Sequence, residues 1–255
     1  MSRNSIPGRI ARRVGLARAL SKLGYRSRSQ AAELIRAGRV QLNGKTQRDP
    51  EAPVLLARDR ITVGAHAIGG AAKIYWILNK PRGAVTTASD EKGRETVYAH
   101  VPKELPWLAP VGRLDKASEG LLLLTNDSEW AARITSPEGH LDKIYHVQIG
   151  MVPDEALLDK IKKGVRAENG DLLRAKSAEI LRHGEKNSWL IVVLDEGKNR
   201  QIRRIFEALG IEMLRLVRVA IGPLALGDLQ KGKSRPLTPA EKRILDAAMA
   251  RTSSV

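Results

Sequence analysis

The sequence has no cysteine, so no disulfide frames it and no thiolate can hold a metal. Its five histidines, His66, His100, His140, His146 and His183, are scattered, and none has the close spacing of a zinc or non-haem iron site. Aromatic residues make up 4% of the chain, too few for a wide platform on which a single nucleic-acid strand could stack. No stretch approaches the roughly 20 apolar residues of a membrane span. Glycine-rich phosphate loops of the dinucleotide or Walker type are also missing. These absences predict a cytoplasmic protein that works without metal, cofactor or membrane.

What is abundant is positive charge. The chain has 255 residues, enough for one large domain and a small one, and it carries a net charge of +16 with a pI near 10.3. The charge is uneven: residues 1–60 hold 14 Lys and Arg against 4 Asp and Glu, while the remainder holds 30 against 24. That imbalance fits a nucleic-acid-binding module joined to a more neutral domain, or else a basic tail that only keeps the protein in solution.

The pattern along the chain divides it into four parts. Residues 1–13 are polar, basic and aperiodic, and read as a flexible arm. From Leu16, helical spacing of Leu16, Ala19, Leu20 and Leu23 ends at Gly24. Ser27 is placed to cap a second helix with Ala31, Leu34 and Ile35 on its apolar stripe, and Gly38 stops it. Val40 and Leu42 alternate before the turn pair Asn43–Gly44, and Ile61–Val63 reads as a further strand. Residues 14–63 thus predict a compact domain whose polar side carries Arg18, Lys22, Arg26, Arg28, Arg36 and Arg39. The small residues of 64–72 read as a linker. Residues 73–250 mix strands (Tyr75–Leu78, Gly120–Thr125, Ile144–Ile149, Trp189–Leu194, Met213–Val219) with helices (Thr96–His100, Ser128–Ile134, Glu155–Lys163, Asn199–Leu209, Pro239–Arg251). Because the two kinds do not alternate, the expected class is α+β with a mixed, mainly antiparallel sheet flanked by helices.

Chemistry concentrates in Val111–Asp127, VGRLDKASEGLLLLTND. Its four leucines read as a strand buried on both faces, entered from a loop that carries Asp115. A carboxylate there is well placed to be held at the floor of a cleft; on spacing alone, a turn former or surface charge is the commoner reading. On a helix from Asn199, Ile202, Ile205, Phe206 and Leu209 share one stripe, with Arg203 at its edge and Arg200 and Arg204 pointing away. Arg203 can keep its stem packed and reach an interior carboxylate, or merely cover the helix flank. Tyr145 alternates with Val147 and Ile149, and is equally a core tyrosine or an aromatic face for a base; Lys143 shares its parity. Glu119 and Asp127 read as structural, with Asp127, or Asn126 with Glu129, as the cap of the following helix.

Gly112-Arg113-Leu114-Asp115 with Ser118-Glu119-Gly120 and the leucine strand resembles the catalytic motif of the pseudouridine synthases, specifically the ribosomal small-subunit family and its large-subunit relatives. Asn79-Lys80-Pro81-Arg82-Gly83 with Thr86-Thr87 is similar to that family's opening strand and turn, Lys143-Ile144-Tyr145 to its Lys-x-Tyr motif, and 196–204 to its third motif. Residues 14–62 resemble the alpha-L RNA-binding domain first known from a ribosomal protein.

The resemblance implies isomerisation of a uridine in ribosomal RNA to pseudouridine, a reaction in which substrate and product hold the same atoms. It assigns Asp115 as the catalytic carboxylate, Arg203 as its cationic partner and Tyr145 as the ring that stacks on the displaced uracil. Arg113 is expected to help position or extrude the nucleotide. Lys143, Arg200 and Arg204, with the six basic residues of the first domain, are candidate RNA contacts. The expected partner is structured ribosomal RNA, free or within an assembling subunit, and the expected state a monomer. A non-catalytic RNA-binding assembly protein is the alternative, and a methyltransferase a weaker one for want of a cofactor loop.

Overall fold

The computed structural model describes residues 13–251 apart from 71, 89, 91, 137, 139 and 140. All but the last residue of the expected N-terminal arm therefore lies outside the described residues. The chain divides into two compact units.

The smaller unit comprises the described residues up to Lys73 together with Glu104–Leu108. Helix α1 (Leu16–Lys22) is followed by Gly24 at φ +75°, a left-handed turn that glycine adopts without strain. Helix α2 (Arg28–Arg36) begins in a full capping box: the Ser27 hydroxyl accepts from the Gln30 N–H at 3.2 Å, and the Gln30 side chain accepts from the Ser27 N–H at 3.3 Å. Strands β1 (Val40–Leu42) and β2 (Lys45–Gln47) form a hairpin through Asn43–Gly44, and β1 also pairs with β3 (Ile61–Val63). Leu16, Leu20, Ala31, Ile35, Val40, Val54 and Ile61 close the core.

Two boundaries differ from expectation. Residues 64–72, read as a linker, contain β4 (His66–Ile68), which pairs with β3 so that Ile68 faces Ile61. Gly64 at φ +58° makes the turn, and Ile68 packs on the core, so small residues here shape a hairpin. Residues 104–108, expected within the larger domain, cluster with the smaller unit, where the Trp107 N–H donates to the Gly24 carbonyl at 2.9 Å.

The larger unit, Ile74–Lys103 with Ala109–Val255, is built on one sheet. Its main strands are β5 (Tyr75–Lys80), β6 (Glu119–Thr125), β7 (Lys143–Ile149), β8 (Ser177–His183), β9 (Ser188–Leu194), β10 (Met213–Ile221) and β11 (Ser234–Pro236), in the order β8-β9-β7-β10-β6-β5-β11. All of these neighbours are antiparallel except β6 and β10, so the mixed, mainly antiparallel α+β class holds.

All seven residues of β6 are buried, as its unbroken apolar run implies. Beside it, α3 (Ser128–Thr135) is capped by Asp127, whose carboxylate accepts from the Trp130 N–H at 3.2 Å. Helix α4 (Glu155–Lys163) packs a second core with Val147, Val192 and Leu216. The same core takes Ile202, Ile205 and Phe206 from α5 (Gln201–Ala208), while α6 (Pro239–Arg251) adds Leu245 and Met249 to the core around Trp130.

Helix α5 starts two residues later than the apolar spacing predicts. The Gln201 side chain accepts from the Lys198 N–H and donates to Arg174 and Glu196, which fixes a turn with Arg200 in the left-handed region at φ +50°. The segment expected as a helix from Thr96 is a single 3-10 turn, Val97–His100. Strand β8 carries largely polar outward side chains, and its sequence gives no period-2 signal strong enough to mark it. Among the described residues no helix is long and apolar enough to cross a membrane.

Candidate active site

Asp115 lies in the loop that leads into β6, and this loop is tied down from several sides. The ammonium of Lys80, at the end of β5, donates to the carbonyls of Pro81 and Asp115 at 3.1 Å each and of Ser118 at 2.8 Å. The Thr86 hydroxyl donates to the Leu114 carbonyl at 2.7 Å, the Gly83 N–H to the Lys116 carbonyl at 2.8 Å, and the Ser118 N–H to the Asp115 carbonyl at 3.0 Å. Val111 and Leu114 bury their side chains. A backbone held at this many points leaves the Asp115 carboxylate little freedom except at its own χ angles.

Where the loop enters the sheet, Gly120 has φ +102°, and a Cβ there would lie 2.2 Å from the Arg218 carbonyl oxygen. Only glycine allows β6 and β10 to approach so closely in parallel.

The carboxylate opens into a cleft of about 530 Å³ lined by residues of the loop, β7, β9, β10 and the start of α5, a size suited to a small ligand or one nucleotide unit. Arg203 reaches it from α5. Its Nη2 donates to the Ser118 hydroxyl at 3.1 Å, and its Nε lies 3.5 Å from Asp115 Oδ2. The second contact is a charge pairing and not a hydrogen bond, because the Nε finds no acceptor in bonding geometry. The helical phase that put Arg203 at the edge of the apolar stripe is what delivers it here. Burial lowers the Arg203 pKa, and the Asp115 charge opposes that effect.

Tyr145 and Lys143 project into the same cleft from β7. A register shift between Ile144 and Tyr145 sets Tyr145 directly opposite Arg218 of β10. Tyr145 is half-buried and touches the second core, so its sequence-level readings as core residue and cleft residue both describe it. Arg113 is exposed at the rim of the cleft.

The arginines on either side of Arg203 part company. Arg200 lines the cleft and pairs with Glu207 at 2.8 Å, whereas Arg204 is turned to Asp171 at 2.8 Å and is not among the lining residues. Glu119 is buried and structural, held by Arg215 at 3.1 Å and Lys231 at 2.5 Å. Burial pushes its pKa up, but those two cations outweigh burial and leave it below the ordinary glutamate value.

Two residues of the site were not singled out from sequence. Lys80 is fully buried, and burial brings its pKa down to about 8 against the opposing pull of Asp115 and Glu119. Its parity with the buried Leu78 was the available signal. Arg218 is 5% exposed, and only its register against Tyr145 reveals it as part of the cleft. Among the described residues no group of three or more His, Asp or Glu is placed to hold a metal ion.

In the smaller unit, Arg18, Arg26, Arg28, Arg36 and Arg39 are exposed or half-buried, as is Lys22. Arg26 stacks over the Tyr25 ring at 5.8 Å and, with Arg39, lines a shallow depression of about 460 Å³.

Residues 74–208 match the family model described as RNA pseudouridylate synthase, and residues 14–61 match that of the S4 domain. The chain is 36% identical over 91% of its length to a Bacillus subtilis protein named ribosomal large subunit pseudouridine synthase B, covering 95% of it. It is 37% identical over 87% of its length to an uncharacterized RNA pseudouridine synthase of Aquifex aeolicus, covering 89% of that protein. A crystal structure of a pseudouridylate synthase superposes with a TM-score of 0.64 at 29% identity, covering 91% of this chain and 99% of that one.

Proposed function

The chain belongs to the RNA pseudouridylate synthase family, and we propose that it converts one uridine of ribosomal RNA to pseudouridine with Asp115 as the essential carboxylate. The observation that carries this reading is the Asp115–Arg203 pairing at 3.5 Å inside the cleft. The guanidinium stands beside a partly enclosed carboxylate, and a nucleophile or base acts through the charged form of such a group.

Enzymes of this family are isomerases that need no cofactor. The bond from ribose C1′ to base N1 breaks, the base turns, and a bond from C1′ to C5 forms, with loss of the C5 hydrogen to solvent and uptake of a proton at N1. Asp115 serves this sequence by attacking the ribose, by attacking the base, or by taking a ribose proton. Tyr145 offers its ring to the displaced uracil, and Arg113 at the rim engages the strand that carries it.

Arginines of the smaller unit grip folded RNA through phosphates and shape, with Arg26 and Arg39 in its depression as the leading contacts. The name of the Bacillus subtilis relative makes large-subunit RNA the first substrate to test. On this reading the protein works as a monomer, without metal, in the cytoplasm beside its RNA. Ribosomal RNA labelled with tritium at uracil C5 should lose label to water when incubated with the protein. No release from either naked RNA or assembled subunits contradicts the proposal.

A further inference from the structure

Lys143 and Arg218 are two cations in one cleft wall, with no carboxylate between them among the described residues. Arg218 stands opposite Tyr145 across the β7–β10 pairing, and Lys143 lies two residues along β7 on the same face. Arg218 uses its Nε to bond the Leu121 carbonyl at 2.8 Å, but its Nη2 is buried and finds no acceptor among the described residues. A buried donor left unmet is costly, and native structures keep few of them without a ligand or water to satisfy them.

The carboxylates whose fields reach Lys143 are engaged elsewhere: Asp142 holds Lys176 at 2.7 Å, and Asp195 lies 3.9 Å from Arg174. Among the described residues, neither Lys143 nor Arg218 has a carboxylate within ion-pair distance. Burial and the neighbouring Arg218 charge both push the Lys143 pKa down, the expected consequence of two like charges facing a site that lacks its anion.

We propose that Lys143 and Arg218 form an anion subsite that takes the uracil oxygens while the base carries negative charge during isomerisation. This rests on the pseudouridine synthase reading given above and adds to it the group that bears the charge of the reacting base. The three routes open to Asp115 converge here. Carboxylate attack on C1′ breaks the C1′–N1 bond and leaves its electron pair on N1, shared with O2 and O4. Removal of a ribose proton expels the base as the same anion. Attack at C6 forms a carbon–oxygen bond and sends the C5=C6 electron pair toward O4. Each route places negative charge on a carbonyl oxygen of the base; the charge is discharged when C5 bonds to C1′, and the C5 proton then leaves as N1 takes one up.

A backbone phosphate is the other anion that two cations can take. Depth favours the base: Arg218 is 5% exposed, whereas the Asp115 side chain is 36% exposed. A phosphate must remain joined to a strand that runs out to solvent, so it fits the rim where Arg113 stands, not the buried position of Arg218.

The test uses the full chain, C5-tritiated ribosomal RNA and single-turnover conditions, with RNA affinity measured in parallel. Among the described residues Lys143 makes no side-chain hydrogen bond that holds the fold together, so Lys143→Met should fold and keep its affinity within about 3-fold. It should slow tritium release about 100-fold at saturating RNA, the scale on which removal of one oxyanion donor is felt. Lys143→Arg should recover most of the rate, because the charge is kept. Arg218→Lys, which preserves charge in the buried position but loses the fork, should also slow release with affinity unchanged.

Weakened affinity with a shallower salt dependence and an unchanged saturated rate would overturn the proposal in favour of a phosphate contact. Unchanged rate and affinity in Lys143→Met would overturn it outright. Absence of tritium release from the wild type would instead defeat the reading on which it rests.

Discussion

Lys80 and Asp115 are linked through the backbone: the Lys80 ammonium donates to the carbonyl of Asp115 itself at 3.1 Å, while also holding Pro81 and Ser118. One buried cation thus fixes the loop that aims the carboxylate without touching the carboxylate. Replacing it with methionine leaves three carbonyls without their donor and should cost about 1–3 kcal/mol of stability. The Lys80→Met rate should fall by more than that loss of folded protein explains. Thermal melts and tritium release on the same preparation check this; a variant with a lowered melting temperature and full activity removes Lys80 from the site's support.

Lys80 also predicts a pH response. Its pKa in the folded protein is about 8 against 10.5 for an unburied lysine, with burial as the largest cause. Activity that depends on the ammonium should decline as pH rises through about 8. Stability moves the other way: between pH 8 and 10.5 the unfolded chain binds the proton that the folded chain has released, so the penalty of burying this charge is relieved as pH rises. Melting temperatures of wild type and Lys80→Met, compared across that window, should shift in favour of the wild type as pH increases. An alkaline activity limb that persists at the same pH in Lys80→Met assigns it to another group.

Gly120→Ala should be strongly destabilising, by roughly 2–4 kcal/mol, because the new Cβ meets the Arg218 carbonyl oxygen at 2.2 Å in a backbone region that alanine resists. Urea unfolding measures the change. A loss below about 0.5 kcal/mol, the range of ordinary surface substitutions, would show that β6 and β10 separate easily.

Arg203 and Arg204, adjacent on α5, should behave differently. Arg203→Met loses both the bond to Ser118 and the charge beside Asp115 and should slow isomerisation about 100-fold with RNA affinity largely kept. Arg204→Ala, whose side chain is turned to Asp171, should change the rate little. Equal effects of the two on kcat would mean that charge near the helix matters and not the reach into the cleft.

Arg26→Ala combined with Arg39→Ala should weaken RNA binding and reduce the slope of log affinity against log salt by about 1 for each phosphate no longer engaged. Affinity and slope that match the wild type would clear the depression in the smaller unit of an RNA-binding role.

Features set by short-range chemistry were legible in the sequence. The Ser27 and Asp127 caps, the Gly24 stop, the Asn43–Gly44 hairpin and the buried run of β6 each depend on residues close in the chain. Helical phase put Arg203 at the edge of the apolar stripe, where it could reach a carboxylate or cover the helix flank, and the family resemblance paired it with Asp115. The two lie 3.5 Å apart although distant in sequence. What escaped depends on pairing across the sheet. Arg218 is one arginine in an aliphatic strand until the register shift sets it against Tyr145. Lys80 looks like a polar strand end until the loop closes over it. Composition also misled at residues 64–72, where glycines and alanines that suggest a linker turn a hairpin instead.

The most direct test compares the wild type with Asp115→Asn in the release of tritium from ribosomal RNA labelled at uracil C5. Release is expected from the wild type, none above background from the variant, and equal RNA affinity for both, since the substitution keeps size and removes only charge. Release by Asp115→Asn at a rate near that of the wild type would contradict the central claim that this carboxylate performs the chemistry.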